Sequence, residues 1–424
     1  MPADLMTFRA LWAFWVLAAI PLGCGKGDSG PSSSMVRDSS GIRIVELSEL
    51  PQDADLTRWE IGPEPSLEIG VREGDQSYLF SGIVGTVTLS DGRVAVLEGR
   101  AASKELRFFS ADGTHQSTTG GDGEGPGEFR SPAELIRLPG DTLVVRDGTL
   151  SFPAVDLFDG RGGFLRRIQP IPDLIPLSLP DGDRPPEVID RGSLLADGSV
   201  LIRTFFTSIE TDPPPGLFRE SYRLLRVRRS RTRVVLDSIG LFKGTERFTT
   251  EVGQGLIPYS TPFGPGPVYG SGRDGIYVVE ALSGEVKGFD YEGVLREIFR
   301  PSIPASVISE EDYERAKEEM ISFDPRYDNR PIVERLFREI PHRTEGPAVG
   351  GLSVDLEGNL WLEGYSTREG LGREWIVLAP DGSLLARARG PARFTPYEIG
   401  SDYLLGVWTD EMEIPYVRRY PLRK

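Results

Sequence analysis

The chain is poor in the residues that build covalent or metal-held frameworks. It has one cysteine, Cys24, in 424 residues, so no intrachain disulfide can form. Its two histidines, His115 and His342, stand far apart, and no Cys/His pattern has zinc-ligand spacing. There is no G-x-S-x-G nucleophile elbow and no stretch with the ligand pattern of an EF-hand or RTX calcium loop. Positive charge is also in deficit: 48 basic residues face 64 acidic ones, for a net charge of −16. A surface this acidic repels phosphate backbones, which excludes non-specific nucleic-acid binding. It is held off an anionic bilayer for the same reason, so any membrane attachment must be hydrophobic.

Glycine (50) and proline (34), by contrast, make up about a fifth of the chain. Such residues supply turns and break helices, favouring many short strands over long helices. An aromatic content of 9% and recurrent apolar triplets argue against global disorder.

The N-terminus reads as an address. Arg9 precedes ALWAFWVLAAIPL (10–22), an uncharged apolar run too short to span a bilayer comfortably but suited to a signal-peptide core. Leu22-Gly23-Cys24 then resembles the lipobox of bacterial lipoproteins, although Pro21 stands where a leucine is usual. The resemblance implies cleavage after residue 23 and acylation of Cys24, with several acyl chains giving a stable anchor. Gly25, rather than Asp, after the cysteine leans toward the outer membrane by the same resemblance. The Gly/Ser-rich stretch that follows predicts a flexible tether over 24–41.

A four-strand unit recurs through the rest. Its first turn and following strand read Asp91-Gly92 then RVAVLE, Gly140-Asp141 then TLVVRD, Asp197-Gly198 then SVLIRT, Asp274-Gly275 then IYVVEA, Glu357-Gly358 then NLWLEG, and Gly400-Ser401-Asp402 then YLLGVW. Short apolar runs bounded by Asp and Gly are hairpin signals. Third strands carry their own signature: Phe109 leads to Asp112-Gly113, Phe158 to Arg161-Gly162, Phe289 to Glu292-Gly293, and Leu378 to Asp381-Gly382. The sixth copy stops at its third strand, PYVRRYPL (415–422), while IRIVEL (42–47), RWEI (58–61) and SLEIG (66–70) are surplus strands near the start. An N-terminal strand completing the last blade closes a ring and removes an exposed edge. This predicts an all-β fold over 42–424: a six-bladed β-propeller closed by an N-terminal strand. A pair of β-sandwiches has turns at similar spacing but does not explain the ordered recurrence.

On GGDGEGPGEFRSP (120–132), GDTLVVRD (140–147), GNLWLEG (358–364) and the tail IGSDYLLGVWTDEMEIPYVRRYPL (399–422), the chain resembles bacterial six-bladed β-propeller lipoproteins, related in shape to NHL-repeat and TolB-type propellers. The resemblance spans about residues 80–424. It implies the fold and a cell-envelope location, and no single activity.

Two departures interrupt the repeat. TDPPPG (211–216) is a Pro-rich insertion in the third unit. A larger one, about 301–345, separates units four and five and predicts two helices, SEEDYERAKEEM (309–320) and IVERLFREI (332–340). Ser309 and Asp312 stand at capping-box spacing, and acidic residues fill the first turn. An insertion of this size acts as a lid, a docking surface or decoration.

Candidate chemistry is sparse. The loop Gly121–Gly127 looks like a phosphate cradle, but Asp122 and Glu124 lie inside it and FRSPAELIRL reads as a strand, so an inter-blade turn is expected. Asp122/Glu124 and Asp181/Asp183 are the candidate oxygen ligands for a divalent cation such as calcium. His115 is expected on a surface strand. His342, beside Arg343 and near Glu345, is the candidate acid/base group. Trp361, Trp375 and Trp408 are expected to pack between blades rather than form sugar platforms. No catalytic residue and no obligatory cofactor or metal is assigned. Two functions stay open. One is a monomeric, non-enzymatic envelope protein, held to the membrane by its lipid, that binds a protein, peptide or glycan. The other is a metal-dependent propeller hydrolase, lactonase or lyase with its site at the central channel.

Overall fold

The computed structural model describes residues 34–47, 50, 57–99, 103–148, 154–168, 187–206, 213–229, 234–252, 255–323, 329–368 and 370–424. Cys24, Asp181 and Asp183 lie outside the described residues. Among the described residues no helix is long and apolar enough to cross a membrane.

The described chain is a β-propeller. An N-terminal arm comes first, with strands β1 (Ser34–Ser39), β2 (Ile42–Leu47), β3 (Arg58–Ile61) and β4 (Leu67–Ile69). Antiparallel four-stranded sets follow in chain order. They are β5 (Ile83–Thr88), β6 (Val94–Glu98), β7 (Glu105–Phe109) and β8 (His115–Gly120); then β9 (Glu134–Leu138), β10 (Thr142–Asp147), β11 (Ala154–Phe158) and β12 (Phe164–Ile168). The third set has β13 (Glu187–Leu194), β14 (Val200–Phe206), β15 (Gly216–Arg229) and β16 (Val234–Val252), with β17 (Gly255–Ser260) added beside β16. Next come β18 (Val268–Ser271), β19 (Ile276–Val279), β20 (Val286–Phe289) and β21 (Leu295–Arg300), then β22 (Val349–Val354), β23 (Leu360–Gly364), β24 (Glu374–Leu378) and β25 (Leu384–Arg389). Last are β26 (Phe394–Ile399), β27 (Tyr403–Thr409) and β28 (Pro415–Arg423). Each second strand predicted from a turn signature is present. The first strands of neighbouring sheets lie side by side: β5 touches β9 and β26, β9 touches β13, and β18 touches β22.

The arm supplies the missing strand. Ile69, Glu68 and Leu67 of β4 pair antiparallel with Val417, Arg418 and Arg419 of β28. The other surplus strands go elsewhere. β2 pairs parallel with β21 (Ile44 opposite Ile298), and β3 pairs parallel with β25 (Trp59 opposite Ala388). The arm therefore runs along the outer edges of three consecutive sheets, and each addition covers a strand edge that would otherwise be open.

The core is divided into clusters that bridge neighbouring sheets. Leu97 and Phe108 meet Leu143 and Phe158; Val144 and Val155 meet Ile202 and Val227; Leu201 and Leu224 meet Ile276 and Val278. Continuing round, Val279 and Val286 meet Leu360 and Leu378, and Trp361 and Trp375 meet Leu404 and Tyr420. Leu405 and Val417 then meet Val94 and Phe109, back at the first set. Close packing of this kind between sheets is the dominant stabilising contribution.

Two expectations are revised. The tether predicted over 24–41 overlaps β1. Ser34–Ser39 is exposed throughout, Met35 and Val36 included, yet it pairs with β2 across a two-residue turn in which Ser40 and Gly41 both have positive φ (56° and 81°). Such a turn matches strand twist and closes a hairpin without apolar burial. The apolar run VVLDSI predicts a fourth strand over 234–239, but the strand runs on to Val252, because Gly216–Arg219 extend β15 beyond β14 and pair with Glu246–Thr249.

The insertion forms helices α1 (Glu310–Ser322) and α2 (Arg330–Glu339). Ser309 caps α1, its side chain and that of Asp312 exchanging hydrogen bonds with each other's backbone. The helices and the β16–β17 extension share a small core of their own, with Phe263, Ile308, Tyr313, Leu336 and Ile340 buried.

Candidate binding face

The end of each second strand defines one face of the propeller. The insertion leaves and re-enters there, because Val349, where β22 begins, pairs with Gly364, where β23 ends. The β15–β16 extension rises on the same side, past the end of β14.

Carboxylates recur at these strand ends, and each is tied down. Glu98, at the end of β6, accepts from the Ser81 and Gly82 N–H groups (2.6 and 3.2 Å) and lies 3.4 Å from Arg107. Asp147, at the end of β10, accepts from the Arg130 and Ser131 N–H groups (2.9 and 2.7 Å) and from Arg167 (3.0 Å). Glu280 follows β19 and pairs with Arg219 across the neighbouring sheet at 2.7 Å, while Glu363 on β23 pairs with Arg373. Asp410 follows β27 and accepts from the Met412 and Ile414 N–H groups and from Arg72. Burial alone would raise the Asp410 pKa, but those N–H groups and the Arg72 guanidinium together hold it below the ordinary range. Glu98 and Asp147 thereby fasten the loops that lead into the first strands β5 and β9.

Two carboxylates on first strands link adjacent sheets. Glu134 accepts from the Leu194 N–H (2.9 Å) and from Arg146 (3.3 Å). Burial raises its pKa, outweighing Arg146 and the Leu194 N–H. Glu398 accepts from the Thr88 N–H (3.1 Å) and the Tyr403 hydroxyl (2.6 Å). Asp156 is buried beside Asp147 and shares Arg167 with it; burial raises its pKa against the pull of that guanidinium. Sequence reasoning missed this set. Its signal was present in Glu98, Asp147, Glu280, Glu363 and Asp410, an acid within one residue of the end of each of five second strands.

The residues singled out from sequence fall in separate places. Asp122 pairs with Lys104 at 2.6 Å and Glu124 pairs with Arg130, so both turn carboxylates are engaged by bases. Among the described residues no three His, Cys, Asp or Glu side chains cluster as metal ligands. The loop they occupy joins β8 to β9 as an inter-sheet turn, closed by Phe129 N–H to Gly121 O (2.8 Å) and Gly125 N–H to the Glu128 carboxylate (2.8 Å). His115 opens β8, rests edge-on against Phe109 and bonds Thr118 at 2.9 Å. His342 stacks on Tyr313 with centroids 3.9 Å apart and lies 3.3 Å from Glu310, which braces the insertion. Trp361 and Trp375 are buried and meet edge to face at 5.7 Å, and the Trp361 Nε1–H donates to Asp355 at 3.0 Å. Trp408 is covered by the Arg418 guanidinium at 3.5 Å from its centroid. All three pack within or between sheets.

The insertion is anchored at both ends of its span. Thr250 donates to Glu339 at 2.7 Å and Arg335 donates to the Glu251 carbonyl at 2.9 Å, which ties α2 to β16. Asp312 accepts from Ser309, from Arg315 and from Thr367 (3.0 Å) in the loop after β23. Ser309, and then Arg315, hold its carboxyl well below the usual carboxylate range. Between the helices and the extension runs an open groove of about 550 Å³, lined by Tyr259, Phe263, Met320, Phe323, Val333 and Tyr365. Phe323 at its lip is 88% exposed.

No protein-family model and no curated protein matches the chain. Among solved structures the chain is similar to a member of the duf4221 family from Bacteroides vulgatus, at 10% identity and TM-score 0.48, covering 86% of this chain and 99% of that one. It is also similar to a calcium-binding protein, regucalcin, from Agrobacterium tumefaciens (12% identity, 87% and 96% covered, TM-score 0.37). A third is virginiamycin B lyase from Staphylococcus aureus (11% identity, 86% and 99% covered, TM-score 0.38). At these TM-scores the likenesses carry no argument about this chain, and the fold rests on its own strand pairing.

Proposed function

We propose that the protein is a six-bladed, lipid-anchored propeller of the cell envelope that binds a protein or peptide on the face carrying the helical insertion. The count of six follows from taking the nine-stranded sheet as two blades joined through β3, with β4 as the fourth strand of the last. The six bridging clusters then correspond to the six interfaces of a closed ring. Lipidation of Cys24 and outer-membrane location rest on the signal-like N-terminus and on Gly25.

The observation that carries the binding reading is the groove between α1, α2 and the β16–β17 extension. It stands on a module with its own core, and it exposes aromatic rings and an adaptable methionine where solvent contact is costly. The carboxylates on the same face are already committed to backbone N–H groups and arginines, which suits a rigid platform.

The test is photo-crosslinking in cells that make the full lipoprotein. A crosslinker at Phe323 is expected to give a discrete adduct that is lost when Met320 is replaced by glutamate. Placed at Asp381, in a turn on the opposite face, it is expected to give none. No adduct at Phe323, or the same adduct from both positions, refutes the assignment. For the anchor, Cys24→Ser is expected to move the protein to the soluble fraction, and unchanged fractionation sinks the lipid claim.

A further inference from the structure

The rim of the apolar groove is an open sheet edge. β17 is the outermost strand of its sheet, and among the described residues no other strand pairs with its far side. Tyr259 and Ser260 are neighbours in β17, so their side chains leave opposite faces, yet both line the groove. The groove therefore meets β17 along its edge rather than on one face.

The register fixes which backbone groups that edge presents. Arg247 stands opposite Ser260, and the Thr261 N–H continues the ladder by donating to the Glu246 carbonyl at 3.0 Å. Antiparallel pairing alternates from residue to residue. Tyr259 and Ile257 thus direct their backbone groups to β16, whereas Leu256, Pro258 and Ser260 direct theirs outward. Proline fits there because the N–H it lacks would have faced away from the sheet. It withdraws the middle donor, a common guard against edge-to-edge aggregation. The Arg247 side chain also donates to the Pro258 carbonyl, at 3.4 Å. The N–H and carbonyl of Leu256 and of Ser260 remain to be met. Leu256 and Ile257 are 45% and 40% exposed, so apolar side chains flank the same edge.

Charge narrows the occupant. Glu319 is the one charged residue in the groove lining among the described residues. Its side chain is 70% exposed, and the base beside it, Arg315, is 3.9 Å away and already donates to Asp312 and to the Thr367 carbonyl. So loose a pair holds Glu319 weakly. The whole chain carries a net charge of −16. A second copy of it is repelled, and a cationic segment is drawn in.

We infer that the groove's partner is an extended, cationic segment that adds to β17 as a further strand, with alternate apolar side chains in the groove and a Lys or Arg against Glu319. This rests on the groove being the binding site and names the form of its occupant. Main-chain hydrogen bonds to Leu256 and Ser260 supply affinity, and the groove supplies selectivity. A helical partner satisfies its main-chain groups internally and gains nothing from the edge.

The experiment selects random peptides, displayed on phage, on the full-length chain in neutral detergent. Enriched sequences are expected to alternate apolar and polar residues and to carry an excess of Lys and Arg. The tightest binder is then made with N-methyl groups on alternate amides, which removes main-chain donors and keeps every side chain. Methylation in the register that faces β17 is expected to weaken binding at least about tenfold, and methylation in the other register to change it little. Glu319→Gln is expected to weaken binding about threefold and to flatten its salt dependence. Met320→Glu, which places a charge in the groove, is expected to abolish binding. Peptides lost with Met320→Glu that show helical spacing of apolar residues, an acidic excess, or tolerance of methylation in both registers overturn strand addition and leave the groove reading standing. Peptides indifferent to Met320→Glu, or no enrichment at all, overturn both. Dimerisation of the free chain in sedimentation, abolished by Ser260→Pro, assigns the edge to a second copy and overturns the inference as well.

Discussion

Removing the Asp147 carboxylate tests whether the strand-end acids hold the loops on the face that carries the helical insertion. Its side chain is fully buried and accepts from the Arg130 and Ser131 N–H groups and from Arg167. Asp147→Ala removes the charged acceptor of two part-buried N–H groups, at about 1.5–3 kcal/mol for each hydrogen bond to a charged group. Arg167 keeps Asp156, and the repulsion between the two acids disappears, which offsets part of the loss. A net destabilisation of about 2–4 kcal/mol is expected. Asp147→Asn keeps the Oδ1 that receives both N–H groups but loses the charge and turns an amide NH2 toward Arg167, which donates to Oδ2 in the wild type, so about 1–2 kcal/mol is expected. Urea unfolding followed by tryptophan fluorescence gives both values, and hydrogen exchange over residues 128–133 locates the effect. An alanine variant that costs under about 1 kcal/mol, or an asparagine variant as damaging as alanine, refutes the reasoning.

Three further outcomes are expected. Ile69 is 1% exposed in the closing strand, so Ile69→Ala should cost about 2–4 kcal/mol in the same unfolding assay. Gly293 has φ of +83° with a Ser238 carbonyl oxygen where a Cβ would stand, so Gly293→Ala should cost about 2–4 kcal/mol and lower the thermal midpoint. Asp312 has a folded pKa below its ordinary value near 3.8. Its contribution is therefore present above that value and lost as pH falls below it. Limited proteolysis of the insertion should accelerate as pH drops below about 4 in the wild type. Asp312→Asn should be cleaved faster at neutral pH and show a flatter acid response.

The repeat was legible because its turns have chemistry that sequence cannot hide: Asp91-Gly92, Asp197-Gly198 and Glu357-Gly358 each precede an apolar strand now seen in place. The capping box at Ser309 and Asp312 was legible for the same reason, since both partners lie within one turn of helix. The course of the arm was not. β2 and β3 join β21 and β25 by parallel edge pairing, which leaves no local mark in sequence and places partners about 250 and 330 residues apart. The extension of β16 past Ile239 was hidden because Lys243, Thr245 and Glu246 break the apolar pattern that marks a buried strand. The acids at the strand ends were read as parts of strands, since their acceptor role depends on N–H groups in the loop before another strand. The groove is assembled from segments distant in sequence, so it had no motif to announce it.

The claim beneath all of this is that the N-terminal arm completes the last sheet, and a cross-link reads it directly. Glu68 and Arg418 face each other across β4 and β28, with their charged ends 2.6 Å apart. In a chain carrying Glu68→Cys, Arg418→Cys and Cys24→Ser, spontaneous disulfide formation joining the two ends is expected in most molecules, detected by a mobility shift on non-reducing gels that reductant reverses. Two thiols that stay free and fully alkylated in the folded protein would contradict the closure.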